Sequence, residues 1–400
     1  MFGCSDDASR ARLDRETTEH HAAAARRREL GARDGVDDDA LEQRYEVWRS
    51  PGDDALPAGS SAAPAADGGW TSTAAPVPLG RAHRIPSDAH TVVQGLLDPG
   101  RPPLATIDSG DVVVYENTWT HFLNRLQPGV GAAELAAMRS ASPGRGVHSI
   151  IGPIAVRGAM PGDVLQLRML RLETIDFGAN FHNAGALGTG VLHDEFAHGY
   201  VRYFELDPHA TYVAFDDRIR LELKPFQGTL GVAPPGDAAL SSVAPGPFGG
   251  NLDLKELTAG ASLFVPVWHP GGLIFTGDSH ALQGDGEVNV TAIETAMREV
   301  RMQVIVHKRV DWSWPFAETP THWIALGSDP NLHEALCIAL RQTIAFLQRR
   351  AGLSRDDAYS LASLAVDFRI TQIVNVCVGA YAMIPKAIFA PDYRRTIAIA

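Results

Sequence analysis

The chain is 400 residues long, enough for one large domain or two to three smaller ones. Hydrophobic residues make up 45% and charged residues 20%, the balance of an ordinary globular protein, and a net charge of −12 argues against a nucleic-acid binder. Cys4, Cys337 and Cys377 are too few and too scattered for a disulfide framework and point to a reducing compartment. No apolar stretch reaches the ~20 residues that span a bilayer, and the N-terminus lacks the apolar core of a secretory signal. The expected location is the cytoplasm, with neither membrane nor nucleic acid as a partner.

Residues 1–75 differ from the rest. Up to about Gly69 they are rich in Ala, Arg, Asp and Glu; Glu16–Arg33 reads as a helix, and Pro57–Gly69 as a Pro/Gly/Ser/Ala linker. This stretch is expected to be an extension before the main domain over 76–400. From Leu79 the pattern turns β-rich. Asp111–Glu116 is a short strand after the Ser109-Gly110 turn. Ile151–Asp163 reads as a strand and then a turn, with a second strand over Val164–Leu170; in the turn Pro161 fixes φ and Gly162 accepts positive φ. Tyr200–Leu206, Thr211–Phe215 and Ile219–Leu223 read as further strands, and Leu230–Gly250 as a long Gly/Pro-rich loop of the kind that is often functional.

Glu287–Glu294 and Arg301–His307 alternate polar with apolar and predict strands. The period then changes. Asn331 and Glu334 resemble a capping box, the apolar residues Leu332 to Leu347 recur at i, i+3, i+4, and Gly352 closes the helix. Ser354–Asp357 starts a second helix to about Leu364, and Ile370–Val378 returns to strand. Strands come in runs rather than in βαβ alternation, so the expected fold class is α+β: sandwich- or barrel-like sheets with C-terminal helices in a layered arrangement.

The most polar run is Gly277-Asp-Ser-His-Ala-Leu-Gln-Gly-Asp-Gly-Glu287. Asp278 and His280 lie two apart and share a face if extended, so both could reach one metal ion, with Glu287 as the base for an activated water. Each residue alone reads more simply as a turn or a strand end; the cluster favours function. Asn251 and Asp253 share a face after the long loop, although spacing alone prefers a turn there. Asp111 and Glu116 read first as a turn and a strand end, with Glu116 a second candidate carboxylate. His193, Glu195 and His198 lie in a Gly-punctuated segment that reads as a solvated loop. Cys337 and Cys377 look like packing residues on apolar faces. No Gly-x-Ser-x-Gly elbow and no phosphate-binding Gly-rich loop is present, which leaves hydrolysis by activated water.

With these residues in hand, the chain from about Asp108 to the C-terminus resembles the acetamidase/formamidase family. The resemblance rests on Ser109-Gly-Asp111 with Glu116, Gly158-Ala-Met-Pro-Gly-Asp163, Gly249-Gly-Asn-Leu-Asp253, Phe275–Glu287 with Thr291-Ala-Ile-Glu294, Glu318-Thr-Pro-Thr-His-Trp323 and Met383-Ile-Pro-Lys386. It implies an amidohydrolase acting on non-peptide C–N bonds of small amides, a divalent metal ion (zinc) and a homo-oligomer. Mapped onto this sequence, the expectation is Asp253, Asp278 and His280 on the metal, Glu287 and Glu116 as catalytic carboxylates, and Asn251 and Gln283 on the substrate. Other readings are hydrolysis of a bulkier lactam, carbamate or aryl amide, or a non-catalytic β-rich binding protein.

Overall fold

Two open sheets carry the site and the helices. In a computed structural model, which describes residues 77–397 other than 184–188, 197, 208 and 311, one sheet has nine strands and the other eight. The nine run in the order Ala82–Pro86, Val112–Glu116, Met297–His307, Val164–Thr174, Ser262–Pro266, Phe316–Glu318, His322–Asp329, Val378–Pro385 and Asp367–Ile370. The path of the second sheet is Val92–Gln94, Ser149–Val156, Ile274–His280, Glu294–Thr295, Phe177–His182 and Tyr200–Glu205, with Phe226–Val232 on the free side of Ile274–His280. Pairing is antiparallel except between Ala82–Pro86 and Val112–Glu116 and between Ala105–Ile107 and Ser149–Val156. The α+β expectation holds. Neither large sheet closes, so the barrel-like variant does not.

The described residues of 77–139 and 145–397 form one compact unit. The expected helix Glu16–Arg33 and the rest of the 1–75 extension lie outside the described residues.

The central strand of the second sheet explains itself. Ile274–His280 is buried along its whole length, as is its neighbour Ser149–Val156. Gly277 lets the two approach: a β-carbon there would lie 2.4 Å from the Ser149 carbonyl oxygen. Helix Leu332–Ala351 starts where the sequence predicts, with the Asn331 side chain accepting from the His333 N–H, and ends at Gly352 with φ of 57°. Ser354 caps the second helix, Arg355–Ala365, by accepting from the Asp357 N–H. These helices cover the nine-stranded sheet through Phe346, Leu347, Ala358 and Ala362 against Trp323, Ala325, Ala382 and Ile384. Phe346 stacks on Phe316 with ring centres 4.8 Å apart. Each such large apolar side chain contributes about 1.5–3 kcal/mol on burial.

Two expected strands are absent. In 287–294 the backbone takes positive φ at Glu287 (45°) and Val290 (82°), and ladder pairing begins only at Glu294. Between Ile370 and Val378 the chain turns at residues 371–377 before re-entering the sheet. In both places the residue alternation suits a strand, but the chain is turning to aim polar groups. The expected 230–250 loop starts inside the strand Phe226–Val232 and is then broken by two-residue strands at Leu240–Ser241, Pro245–Gly246 and Gly249–Gly250. Cys377 is a buried packing residue as expected, whereas Cys337 is only half-buried, beside His333 on its own helix.

Candidate active site

Asp278 and His280 end the central strand, and the antiparallel register places Glu294 directly opposite His280. Asp278 has φ of 57°, so the strand is not regular there, yet His280 Nε2 stands 3.2 Å from both Asp278 Oδ1 and Glu294 Oε2. His121 joins from a tight turn over His121–Asn124, in which Phe122, Leu123 and Asn124 have φ of 57°, 56° and 66°. The turn is tied down by Phe122 N–H donating to the Val147 carbonyl (2.8 Å) and Leu123 N–H donating to Ser149 Oγ (3.1 Å). His121 Nε2 lies 2.8 Å from Asp278 Oδ1 and 3.2 Å from Glu294 Oε2. His148 enters just ahead of its buried strand, 3.8 Å from Asp278 Oδ2, with Nδ1 on Ser242 Oγ at 2.7 Å.

Asp253 and Glu287 complete the cluster. Their carboxylates and the His280 ring offer ligand atoms all within 4.8 Å of one another, as do His121 with His148 and Asp278, and Asp278 with His280 and Glu294. All of these side chains are buried. Asp253, Asp278 and Glu287 have φ of 48°, 57° and 45°. Left-handed backbone at non-glycine residues costs on the order of 1–3 kcal/mol each and persists where surrounding structure enforces it, commonly at functional sites. Aromatic rings wall the cluster: Phe226 meets the His280 ring edge-on at 4.9 Å between centres, and Phe181 meets His121 at 6.2 Å.

The electrostatics divide the acids into two kinds. Burial alone would raise Asp278 and Glu294, but the facing histidines outweigh it: His148 and His280 hold Asp278 well below the carboxylate range, and His280 and His121 draw Glu294 down to about 2. Burial lifts Glu287 to about 8, and burial with Glu287 and Asp278 nearby lifts Asp253 well above its ordinary value. Burial would lower all three histidines. It wins at His148, which falls to about 4, whereas Glu294 and Asp278 overcome it at His121, which rises to about 9, and at His280, which rises well above its usual value. The histidines thus favour charge on Asp278 and Glu294, whereas burial disfavours it on Asp253 and Glu287.

The donor set fits a divalent cation. Asp253 Oδ1 is buried and accepts no hydrogen bond among the described residues. Gly228 shapes the space between: a β-carbon on it would lie 2.6 Å from Asp278 Oδ2, 2.7 Å from Asp253 Oδ1 and 2.7 Å from His280 Cε1. Carboxylates and imidazole converging on a side-chain-free spot suit a metal ion.

Of the sequence-predicted residues, the fold brings together Asp253, Asp278, His280, Gln283 and Glu287. Asn251 is buried two residues before Asp253, its Oδ1 accepting from Thr229 Oγ1 at 2.7 Å. Glu116 is not part of the cluster. Its strand belongs to the nine-stranded sheet, and its partly exposed carboxylate pairs with Arg84. Sequence reading missed His121, His148 and the full role of Glu294. His148 carries a signal, a histidine directly before the apolar run Ser149–Val156, which is faint among fifteen histidines. His193 lies on a loop with Nδ1 on the Gly190 carbonyl at 3.1 Å, and the exposed Glu195 is on the same loop, as expected for a solvated segment.

Fold and site together define an α+β protein with a buried carboxylate–imidazole centre at the end of a central strand. The sequence profile of the Acetamidase/Formamidase family matches residues 87–239 and 235–391, and the chain belongs to that family. It is 28% identical over 201 residues to a formamidase of Methylophilus methylotrophus (38% of this chain, 49% of the relative) and 29% identical over 199 residues to an acetamidase of Mycolicibacterium smegmatis (36% and 49%). The chain thus spans about half the length of the curated relatives it matches. The crystal structure of an acetamidase from Bacillus halodurans superposes with a TM-score of 0.69 at 29% identity, covering 77% of this chain and 98% of that one. Among the described residues no helix is long and apolar enough to cross a membrane.

Proposed function

We propose that this chain is an amidohydrolase that cleaves the C–N bond of a small non-peptide amide to a carboxylate and ammonia or an amine. Asp253, Asp278 and His280 would hold a zinc ion, which when bound supplies Lewis acidity toward the amide carbonyl and toward a water. Glu287 takes a proton from the attacking water and returns it to the leaving nitrogen. Its carboxylate oxygen lies within 4.8 Å of the Asp253 and His280 ligand atoms, within reach of a water held there. Glu294 and His121 hold Asp278 and His280 in place. Phe181 and Phe226 keep the surroundings apolar, which strengthens each charge interaction.

The observation that carries this reading is the unpartnered Asp253 Oδ1 facing Asp278 Oδ2 across the bare Cα of Gly228. A buried carboxylate oxygen without a donor is costly unless a cation meets it. Family membership supplies the reaction class, and the names of the relatives, formamidase and acetamidase, favour small linear amides. The test is a panel of formamide, acetamide, longer amides and lactams, read by ammonia or amine release. Turnover of the short linear amides is expected, and turnover of none would refute the proposal. The same reading takes the protein to be a cytoplasmic homo-oligomer with residues 1–75 as an extension to the catalytic domain. Light scattering showing a mass of a single chain would remove the oligomer.

A further inference from the structure

Gln283 is buried beside His280, and its amide can stand only one way round. The Nε2 group donates to the main-chain carbonyls of Asp253 (3.0 Å) and Thr371 (3.1 Å). Neither acceptor can donate, so a flipped amide would set its oxygen against two others. With this orientation fixed, Oε1 faces His280 Nδ1 at 3.1 Å. An amide oxygen only accepts, so Nδ1 must carry the hydrogen. A neutral imidazole protonated at Nδ1 is bare at Nε2, the nitrogen that stands 3.2 Å from Asp278 Oδ1 and Glu294 Oε2.

We infer that Gln283 is a positioning residue that fixes the tautomer of His280 and so presents the Nε2 lone pair to the cation, rather than a contact to the substrate. The purpose of the tautomer rests on the metal reading proposed above; the tautomer itself rests only on the hydrogen bonds. The same amide grips the Asp253 carbonyl, where the backbone holds φ of 48°. One side chain thus orients two of the proposed ligands at once. Partners that hold a ligating imidazole in this way change metal affinity by about 10–100-fold when removed.

Two measurements test this. In zinc-loaded protein with 15N-labelled histidine, and with His280 assigned by loss of its signal in His280→Asn, Nδ1 is expected to bear the proton and Nε2 none. A proton on Nε2 with a bare Nδ1 overturns the inference, and a bare Nδ1 in the zinc-free protein does so equally. In the second, zinc affinity is measured by chelator competition in Gln283→Leu and Gln283→Glu. Leu is expected to lower affinity about 10–100-fold with KM for the amide unchanged. Glu, protonated, still accepts from Nδ1 and donates to one carbonyl, and should hold affinity near that of the parent. Unchanged zinc affinity with a raised KM in Gln283→Leu would make Gln283 a substrate contact and end the proposal. A parent protein that takes up no zinc refutes the metal reading alone, because the Nδ1 proton is read without it.

Discussion

Asp278 Oδ1 lies 2.8 Å from His121 Nε2, although 157 residues separate them in sequence, and the same oxygen stands 3.2 Å from His280 Nε2. One carboxylate therefore ties the left-handed turn at His121–Asn124 to the end of the second sheet's central strand. Asp278→Asn tests this junction with little backbone disturbance, because Asn tolerates the φ of 57° found there. Removing one partner of a buried charged network costs about 3–5 kcal/mol. A loss of that size in denaturant unfolding is expected, with loss of bound zinc. A variant that keeps both stability and zinc would contradict the arrangement.

Glu287→Gln should keep the metal and lose the chemistry. Glu287 is buried and takes a φ of 45°, and Gln preserves its shape while removing the proton exchange. General acid–base groups contribute about 10²–10⁴-fold, so kcat on a short amide should fall by that factor while zinc content by elemental analysis stays the same. Parental turnover in this variant would remove Glu287 from the mechanism.

Gly228→Ala places a methyl where Asp278 Oδ2, Asp253 Oδ1 and His280 Cε1 already lie within 2.6–2.7 Å. Those groups are buried and must shift. Displacing catalytic geometry by about 1 Å commonly costs on the order of 10²-fold in rate. Weaker zinc retention and a comparable drop in kcat/KM are expected, with circular dichroism to verify folding. An unaffected, folded variant would show that the space over Gly228 is not used.

Asp163 is a stability prediction away from the site. Its carboxylate accepts from the N–H groups of Met160 (2.8 Å) and Arg309 (3.1 Å) and pairs with Lys308, closing the turn between two strands. Burial would raise its pKa, but Lys308 and the two N–H donors outweigh burial and hold it below the usual value. A depressed folded pKa contributes stability above the unfolded value of about 3.9, and that stability is lost as pH falls through the folded value. Asp163→Asn should cost about 1–3 kcal/mol at neutral pH by chemical denaturation. The gap between parent and variant should shrink as pH drops below about 3.9. A gap that grows on acidification would show the opposite sign.

Elements of the nine-stranded sheet and its helices were legible because turn and cap chemistry leave local marks. Val164–Thr174 follows its Pro-Gly-Asp turn, and helix Leu332–Ala351 has both its Asn cap and its Gly stop. The run from Asp278 to Glu287 was legible as a site because acids, an imidazole and glycines sit together in an otherwise apolar neighbourhood. What was not legible is long-range. His121 and Asp278 meet only through folding, and nothing local to Thr118-Trp-Thr-His121 announces three successive left-handed residues. Glu116 reads in sequence as a strand end or a second candidate carboxylate, and its strand pairs into the other sheet. The supposed strand at 287–294 failed for a related reason: polar–apolar alternation is read as a flat ladder, while positive φ at Glu287 and Val290 bends the chain to aim the glutamate.

The most direct test of the central claim is amide turnover as a function of bound zinc. Purified protein is dialysed against a chelator, its metal content is measured, and zinc is then restored stepwise while ammonia release from formamide or acetamide is followed. The account predicts loss of turnover with the metal and recovery in proportion to zinc bound, with no recovery in Asp278→Asn. Full turnover in protein shown to be free of metal would contradict it.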